Sequence, residues 1–497
     1  MNKNKKNYII YKIIIICILF LGIFLRTKYF LNFRWLWADE IALLTNIYNA
    51  PLTNSFMPLQ FAQSAPPLFL FLSQLILYFF KFITNYHVQS LRIIPFICSI
   101  VSIPTFYLLS KKFLNNKICL IMSNLLFCFN IHLIYFAQDF KQYSSDVCTF
   151  IIVLISYFFI NLKEITKTQI ILLSLFYIMC SWFSITSIFA IITILFVLTS
   201  NKDFKSNIKK YIILTIPFLF NLILVYLSQK HSAYDIRLIS FWYKGFINIY
   251  DPSSFISIIY NAINYYFKEI PLLNSTIYLL TFFIGIFICT KNLKNEKNQL
   301  LILPIFFMYI ASLLQIYPFE GRTALYLFPI FIILICSSIN YINSQNLKQI
   351  ILIIFVIFNI SNILKYQELF SFKTGNLNNS INEYLTDAKF NLNKSSIILN
   401  NLDAVTYTFY NQLYKFNPKS NFIELNDINT ININLLPANQ TYYVICSNGN
   451  NHPDLTSNIT REIYHNKLIK NIKSANNIKI LKIHTDTSGN ILIKFKK

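Results

Sequence analysis

Two carboxylates stand side by side in Arg34-Trp35-Leu36-Trp37-Ala38-Asp39-Glu40, just after the first long apolar run of the chain. A third acid and a base sit two residues apart in Gln138-Asp139-Phe140-Lys141-Gln142-Tyr143, again directly after an apolar run. In Pro318-Phe319-Glu320-Gly321-Arg322-Thr323-Ala324-Leu325-Tyr326 an arginine comes immediately before another. A charged group close to hydrocarbon is costly and usually has a partner or a task. Taken singly, each segment reads equally well as a membrane-flanking charge or a helix end. Gathered at one depth on one face, they suit a reaction in which a carboxylate removes a proton while fixed cations hold a departing phosphate.

The elements that must carry these residues are membrane helices. Across 497 residues the chain is 55% hydrophobic and only 13% charged, against about 25% charged in a soluble domain. Repeated apolar runs of roughly 16 to 20 residues suit helices crossing a hydrocarbon layer about 30 Å thick, and helices satisfy their own backbone hydrogen bonds there. The net charge of +23 argues little for nucleic acid, because the lysines lie mostly in short loops between apolar runs. The richness in Ile, Asn, Lys, Tyr and Phe, with seven Gly, follows an AT-rich coding bias and discounts any single Asn or Lys. Of nine cysteines, eight lie inside apolar runs and Cys446 in a polar region, with no disulfide framework and no CxxC pair. The N-terminus, with Lys3, Lys5 and Lys6 before an apolar stretch from Tyr8 to Leu25, resembles a signal peptide, but Arg26 follows where a small-residue cleavage site belongs. It reads as an uncleaved first span.

Loop charge assigns the sides. Lys111, Lys112 and Lys117; Lys163 and Lys167; Lys202, Lys205, Lys209 and Lys210; Lys291, Lys294 and Lys297; and Lys348 mark successive cytoplasmic loops. The loops between hold most of the acids. Crossings are expected near Leu91 to Leu109, Ile118 to Phe136, Val147 to Ile160, Thr168 to Phe183, Ile185 to Thr199, Tyr211 to Ser228, Leu272 to Thr290, Gln299 to Ile316, Ala324 to Asn340 and Gln349 to Leu364. With the first span that makes about eleven. Leu68 to Ile83 breaks the parity and is read as a juxtamembrane or re-entrant helix on the outer side. The expected fold is thus an α-helical polytopic membrane domain over residues 1–364, with a small extracytoplasmic α/β domain over 365–497. Strands in the latter are expected at Ser396 to Leu399, Phe422 to Leu425, Tyr442 to Cys446, Ile478 to Ile483 and Ile491 to Phe495, with helices at Ala404 to Tyr414 and Ser457 to Ile472. No GxGxxG or GxxxxGK segment points to a nucleotide.

Five segments in order resemble the motif series of the GT-C glycosyltransferases, in the branch of protein O-mannosyltransferases and lipid A aminoarabinose transferases. They are Asp39-Glu40, Ala65-Pro66-Pro67-Leu68, Leu91-Arg92-Ile93-Ile94-Pro95, Gln138-Asp139-Phe140-Lys141-Gln142-Tyr143, and Arg322 with Tyr326 and Pro329. The resemblance covers roughly Tyr8 to Asn340. It implies a polyprenyl-phosphate sugar donor in the outer leaflet and inverting transfer of a hexosyl or pentosyl group to a lipid, glycan or protein hydroxyl. Under it, Asp39 is the catalytic base with Glu40 its companion, and Asp139 positions the acceptor or a metal. Lys141 takes the family's basic position, Arg92 and Arg322 face the donor phosphate or support the acidic pair, and Tyr143, Pro66, Pro67 and Tyr326 line the substrate. No cofactor is certain; a divalent Mg or Mn ion on Asp39 and Asp139 stays open, since no ligand spacing is diagnostic. The implied location is the plasma (inner) membrane, with the N-terminus cytoplasmic.

The chain departs from the pattern at Ala65, where many relatives carry His. His231, in the long outer loop from Gln229 to Pro271, is a candidate substitute, although a lone loop histidine is more often inert. The loop is long enough to act as a lid, and Trp242 and Tyr243 fit the membrane interface slightly better than a sugar face. A lipid-linked oligosaccharide flippase or other transporter would show internal repeats and Gly or Pro breaks at mid-membrane, which are not evident here. A polysaccharide polymerase and a non-catalytic scaffold complete the alternatives.

Overall fold

The computed structural model describes residues 3–31, 36, 38–83, 87–161, 163–200, 204–233, 235–248, 250, 251, 253–267 and 272–364, and in the C-terminal region 395–400, 421–425, 436, 441–446, 466, 468–470, 472–474, 478–485 and 491–496. Two compact units emerge. One comprises Met1–Asn32 and Asn46–Tyr366, the other Phe33–Thr45 and Gln367–Lys497. The segment with Asp39 and Glu40 therefore groups with the C-terminal region rather than with the helices that flank it in sequence.

In chain order the helices begin with α1 (Lys3–Leu31), α2 (Ala38–Leu44, in the second unit), α3 (Pro67–Lys81), α4 (Ile93–Phe113), α5 (Lys117–Cys128) and α6 (Ile131–Phe136). They continue with α7 (Tyr143–Ser156), α8 (Lys167–Phe183), α9 (Ser187–Thr199), α10 (Ile208–Ala233) and α11 (Ile236–Phe241). Last come α12 (Ser253–Phe267), α13 (Leu272–Thr290), α14 (Glu296–Leu313), α15 (Phe328–Asn340) and α16 (Gln345–Leu364). Among the described residues, four helical stretches, Tyr8–Leu31, Gln89–Phe113, Lys205–Lys230 and Gly321–Asn340, are long and apolar enough to cross a membrane. Buried share separates them: 89% for Gly321–Asn340 against 17% for Tyr8–Leu31 and 22% for Lys205–Lys230. Hence α15 is the axis of the bundle, while α1 and α10 turn faces such as Ile16, Phe20, Ile216 and Phe220 outward, as lipid requires. Close packing on that axis depends on Gly285 of α13, where a Cβ would stand 2.3 Å from the Leu334 carbonyl oxygen of α15.

Helices form where apolar runs were expected, with three differences. The run from Ile118 to Phe136 is not one helix but breaks into α5 and α6. The stretch from Ala324 starts as a 3-10 helix, Gly321–Leu327, before α15. The region from Gln229 to Pro271, read as a loop, holds the end of α10 and the whole of α11 and α12.

The break between α5 and α6 has a clear cause. Arg26 of α1 is fully buried and donates from Nη1 to Cys128 O at 2.8 Å, from Nη2 to Phe127 O at 3.3 Å and from Nε to Ser99 Oγ at 2.8 Å. A cation on the last carbonyls of α5 satisfies groups that have no partner within the helix and complements its dipole. Gly22, one turn before, lets α1 come this close, since a Cβ there would lie 2.8 Å from Cys128 Cβ. Asn130 then caps α6, accepting from His132 N at 3.0 Å and Leu133 N at 3.1 Å. The lysines assigned to cytoplasmic loops also bind carbonyls: Lys297 Nζ donates to Lys112 O at 2.8 Å, Lys210 Nζ to Lys163 O at 2.9 Å and Lys348 Nζ to Asn340 O at 3.0 Å.

The second unit contains a five-stranded sheet in the order β2-β1-β3-β5-β4, built from β1 (Ser395–Asn400), β2 (Asn421–Leu425), β3 (Thr441–Cys446), β4 (Lys479–Thr485) and β5 (Ile491–Lys496). β1 runs parallel to β2 and β3, while β5 is antiparallel to β3 and β4. Tyr442, Val444, Ile493 and Phe495 on one face pack with Leu468 and Ile472, which are one helical turn apart. The expected helix at Ala404 to Tyr414 lies outside the described residues, as does most of that at Ser457 to Ile472.

Arg26→Met should lower the thermal midpoint of the detergent-solubilised protein, because the freed carbonyls have no water to turn to, at a cost of about 2 kcal/mol or more. Arg26→Lys should fall between, having no planar fork to reach three acceptors. A thiol-reactive dye reading exposure of the buried cysteines follows the transition; an unchanged midpoint in Arg26→Met would show the clamp to be dispensable.

Candidate active site

Two of the quoted segments meet where α6 hands over to α7. Gln138 N donates to Tyr135 O at 3.1 Å as α6 ends, and Lys141 N donates to Asp139 O at 2.7 Å, a tight turn that buries both Asp139 and Lys141. Lys141 Nζ donates to Gln63 Oε1 at 2.6 Å, and Gln142 Nε2 to Ser64 O at 3.3 Å. Gln229, near the end of α10, holds the same strip, donating from Nε2 to Ala65 O at 3.4 Å and accepting from Ser64 Oγ at 3.2 Å. Phe69 of α3 and Phe140 stack at 5.9 Å. Pro66 and Pro67 are buried at the head of α3, where their fixed φ suits a helix start. Just upstream, Phe61 and Ala62 adopt φ of 60° and 51°, left-handed values that cost roughly 1 kcal/mol or more per non-glycine residue and are kept where the surroundings demand them.

Arg322 lies on the 3-10 helix that leads into α15. Its guanidinium sits 5.7 Å from the Tyr143 ring centroid and 5.2 Å from that of Trp242, within cation–π range of both. Glu320 caps this helix: its side chain accepts from the Thr323 backbone, and the Thr323 hydroxyl accepts from Glu320 N at 3.4 Å. Burial raises the Glu320 carboxyl above its ordinary pKa, and Lys244 opposes the shift. Trp242 is held in turn, because Gly245 O accepts from Phe319 N at 2.7 Å and from Ser312 Oγ at 2.8 Å. Gly245 is required for that seat, since a Cβ would lie 2.9 Å from Glu320 Cβ. The region long enough to act as a lid is thus fastened to the arginine segment, and Trp242 lies against the arginine.

A hydrogen-bond chain ties Arg322's helix to the α5–α6 break. Tyr266 Oη donates to Gly321 O at 3.0 Å, and Tyr266 O accepts from Asn130 Nδ2 at 3.1 Å. His132 stacks on Tyr265 at 4.2 Å. Of the remaining expected site residues, Arg92 stands at the start of α4, donating from Nη1 to Gln89 Oε1 at 2.8 Å. Tyr326 is buried between Phe150 and Phe189, with ring centroids 5.0 and 5.6 Å away. Asp39 and Glu40 occupy the first turn of α2 in the second unit, Asp39 partly exposed and Glu40 buried. The side chain of His231 lies outside the described residues. Gln63, Gln229, Asn130 and Tyr266 were not foreseen; the one signal for Asn130 was a polar residue interrupting an apolar run.

Among the described residues no three His, Cys, Asp or Glu side chains converge to hold a metal ion.

No family model matches the chain, and no curated protein matches it in sequence. Among solved structures it is similar to ArnT from Cupriavidus metallidurans in the apo state, with a TM-score of 0.50 at 8% identity, covering 99% of this chain and 98% of that one. At so low an identity the likeness bears on architecture alone: the chain has a fold similar to that of ArnT over nearly its whole length.

Proposed function

We propose that this chain is an inverting membrane glycosyltransferase that moves a hexosyl or pentosyl group from a polyprenyl-phosphate donor to an acceptor hydroxyl at the outer face of the plasma membrane. The observation that carries the reading is Arg322, set between two aromatic rings at the head of the most buried of the four long apolar helical stretches, in a chain with an ArnT-like fold. Ring faces favour the charge of a guanidinium, and its planar fork of donors matches the oxygens of a phosphate leaving group. Lys141, held by Gln63 beside the Ala65-Pro66-Pro67 turn, adds a second fixed cation.

The reaction is one displacement. The acceptor oxygen attacks the anomeric carbon, the bond from that carbon to the phosphate oxygen breaks, and polyprenyl phosphate leaves with the bonding electrons. Asp39 takes the proton of the acceptor hydroxyl, Glu40 supports it, and Asp139 orients the acceptor. Arg322, Lys141 and Arg92 stabilise the charge that grows on the phosphate. Tyr143, Pro66, Pro67 and Tyr326 shape the donor side. The displacement balances without a metal; Mg or Mn would add charge neutralisation at the phosphate. In this reading the N-terminus is cytoplasmic, α3 lies on the outer side, and residues 365–497 form an extracytoplasmic domain.

The assay is transfer in membranes supplied with a panel of labelled polyprenyl-phosphate sugars. At matched expression, Asp39→Asn should lower transfer about a hundredfold or more, as loss of a general base does. Equal transfer in both proteins removes Asp39 from its role, and no transfer from any donor moves a lipid-linked sugar flippase ahead. Arg322→Lys keeps the charge but loses the fork and the stacking, and should lower kcat/KM for the donor by roughly ten- to a hundredfold. Trp242→Phe should retain most activity and Trp242→Ala should raise the donor KM severalfold; if Ala equals wild type, the ring is not what seats the arginine.

A further inference from the structure

α7 carries a carboxylate that the displacement does not use. Asp146 lies three residues after Tyr143 and is buried. Its Oδ1 accepts from Ser184 Oγ at 2.6 Å. Ser184 and Thr186 share a hydroxyl contact of 3.1 Å and belong to the turn between α8 and α9. Within that turn Ser187 N donates to Ser184 O at 3.1 Å and Phe189 N to Thr186 O at 3.2 Å. An acid inside a membrane bundle points to a task before it points to packing.

The turn presents Phe189 to the arginine segment. The Phe189 ring stacks on Tyr326 at 5.6 Å and 8°, and meets Tyr317 at 6.0 Å and 72°. Phe150, one helical turn beyond Asp146 on α7, meets Tyr326 from another side at 5.0 Å. Tyr317 and Tyr326 bracket Arg322 in sequence, and Tyr317 Oη donates to Thr323 O at 3.5 Å. Asp146 and Phe189 therefore hold one aromatic support whose load is the helix with Arg322.

We infer that Asp146 is a positioning residue, which through Ser184 and Thr186 fixes the turn that lets Phe189 seat the Tyr317–Tyr326 segment and so sets the place of Arg322. Its consequence for turnover rests on the reading of Arg322 as the donor-phosphate cation; its consequence for the seating of Arg322 does not.

The test uses the full-length protein and two readouts. Phenylglyoxal modifies guanidinium groups, and its rate at Arg322 relative to Arg92, followed by peptide mass spectrometry, reports the seating without turnover. Asp146→Ala should raise that ratio threefold or more and raise the donor KM fivefold or more, with kcat within twofold. Asp146→Asn retains an oxygen to accept from Ser184 and should stay within twofold of wild type on every measure. If Asp146→Ala does not fold, Ser184→Ala removes one donor to the carboxylate and should give the same changes at smaller size. An Arg322 ratio that neither variant moves overturns the inference, as does a lowered thermal midpoint with ratio and KM unchanged, which would leave Asp146 a stability role alone. If wild type transfers no sugar while the ratio responds as expected, the functional reading fails and the positioning role stands.

Discussion

A helix that stops inside hydrocarbon leaves its last carbonyls with no water to bind, and the arrangement of this bundle follows from how that problem is met at Cys128. Arg26 supplies the donors from a neighbouring helix and Asn130 restarts the chain as α6 two residues later. The change of direction matters because α6 is short. Its end delivers Asp139 and Lys141 as a buried turn rather than as the frayed tip of a long span. A continuous helix from Lys117 onward would carry the same residues on a different face and height.

The second organising feature is that the most deeply buried of the four long apolar helical stretches begins with the turn that carries Arg322. α15 is packed on nearly all sides, and its leading 3-10 turn carries Arg322. Aromatic faces, a glycine seat at Gly245 and the Tyr266–Asn130 link hold that turn from several directions. Such redundancy is what pre-organised electrostatic stabilisation needs, since a cation that must reorganise during the reaction gives back much of its benefit.

The helical pattern was readable because lipid imposes it: each apolar run had to become a helix, and the lysines that end the runs marked where. Lys141 and Gln142 reach Gln63 and Ser64, a pairing that the order of the segments along the chain does not encode. What stayed hidden depends on pairs far apart in the chain. Arg26 was noticed only as a residue that spoils a cleavage site, yet its acceptor Cys128 lies 102 residues away. Trp242 could be called aromatic and near the membrane, but not that Arg322 would be beneath it. Asp146 went unremarked because it falls within the first turn of an apolar helix, where hydropathy averages it away. In the C-terminal region, short β-branched and aromatic runs announced the five strands, while their mixed order, with β5 between β3 and β4, is a matter of pairing that local pattern does not encode.

The lysines that bind carbonyls bear on how this protein's orientation can be probed. Positive loop charge is ordinarily treated as a label that can be moved or reversed to turn a membrane protein over. Lys210, Lys297 and Lys348 are fasteners as well, each tying one stretch of chain to another. Reversing their charge therefore confounds insertion with unfastening, and a change in topology reporters at these sites has two causes. Lys294, in the same series of loops and exposed, is a position where charge acts as a label without breaking one of these three ties.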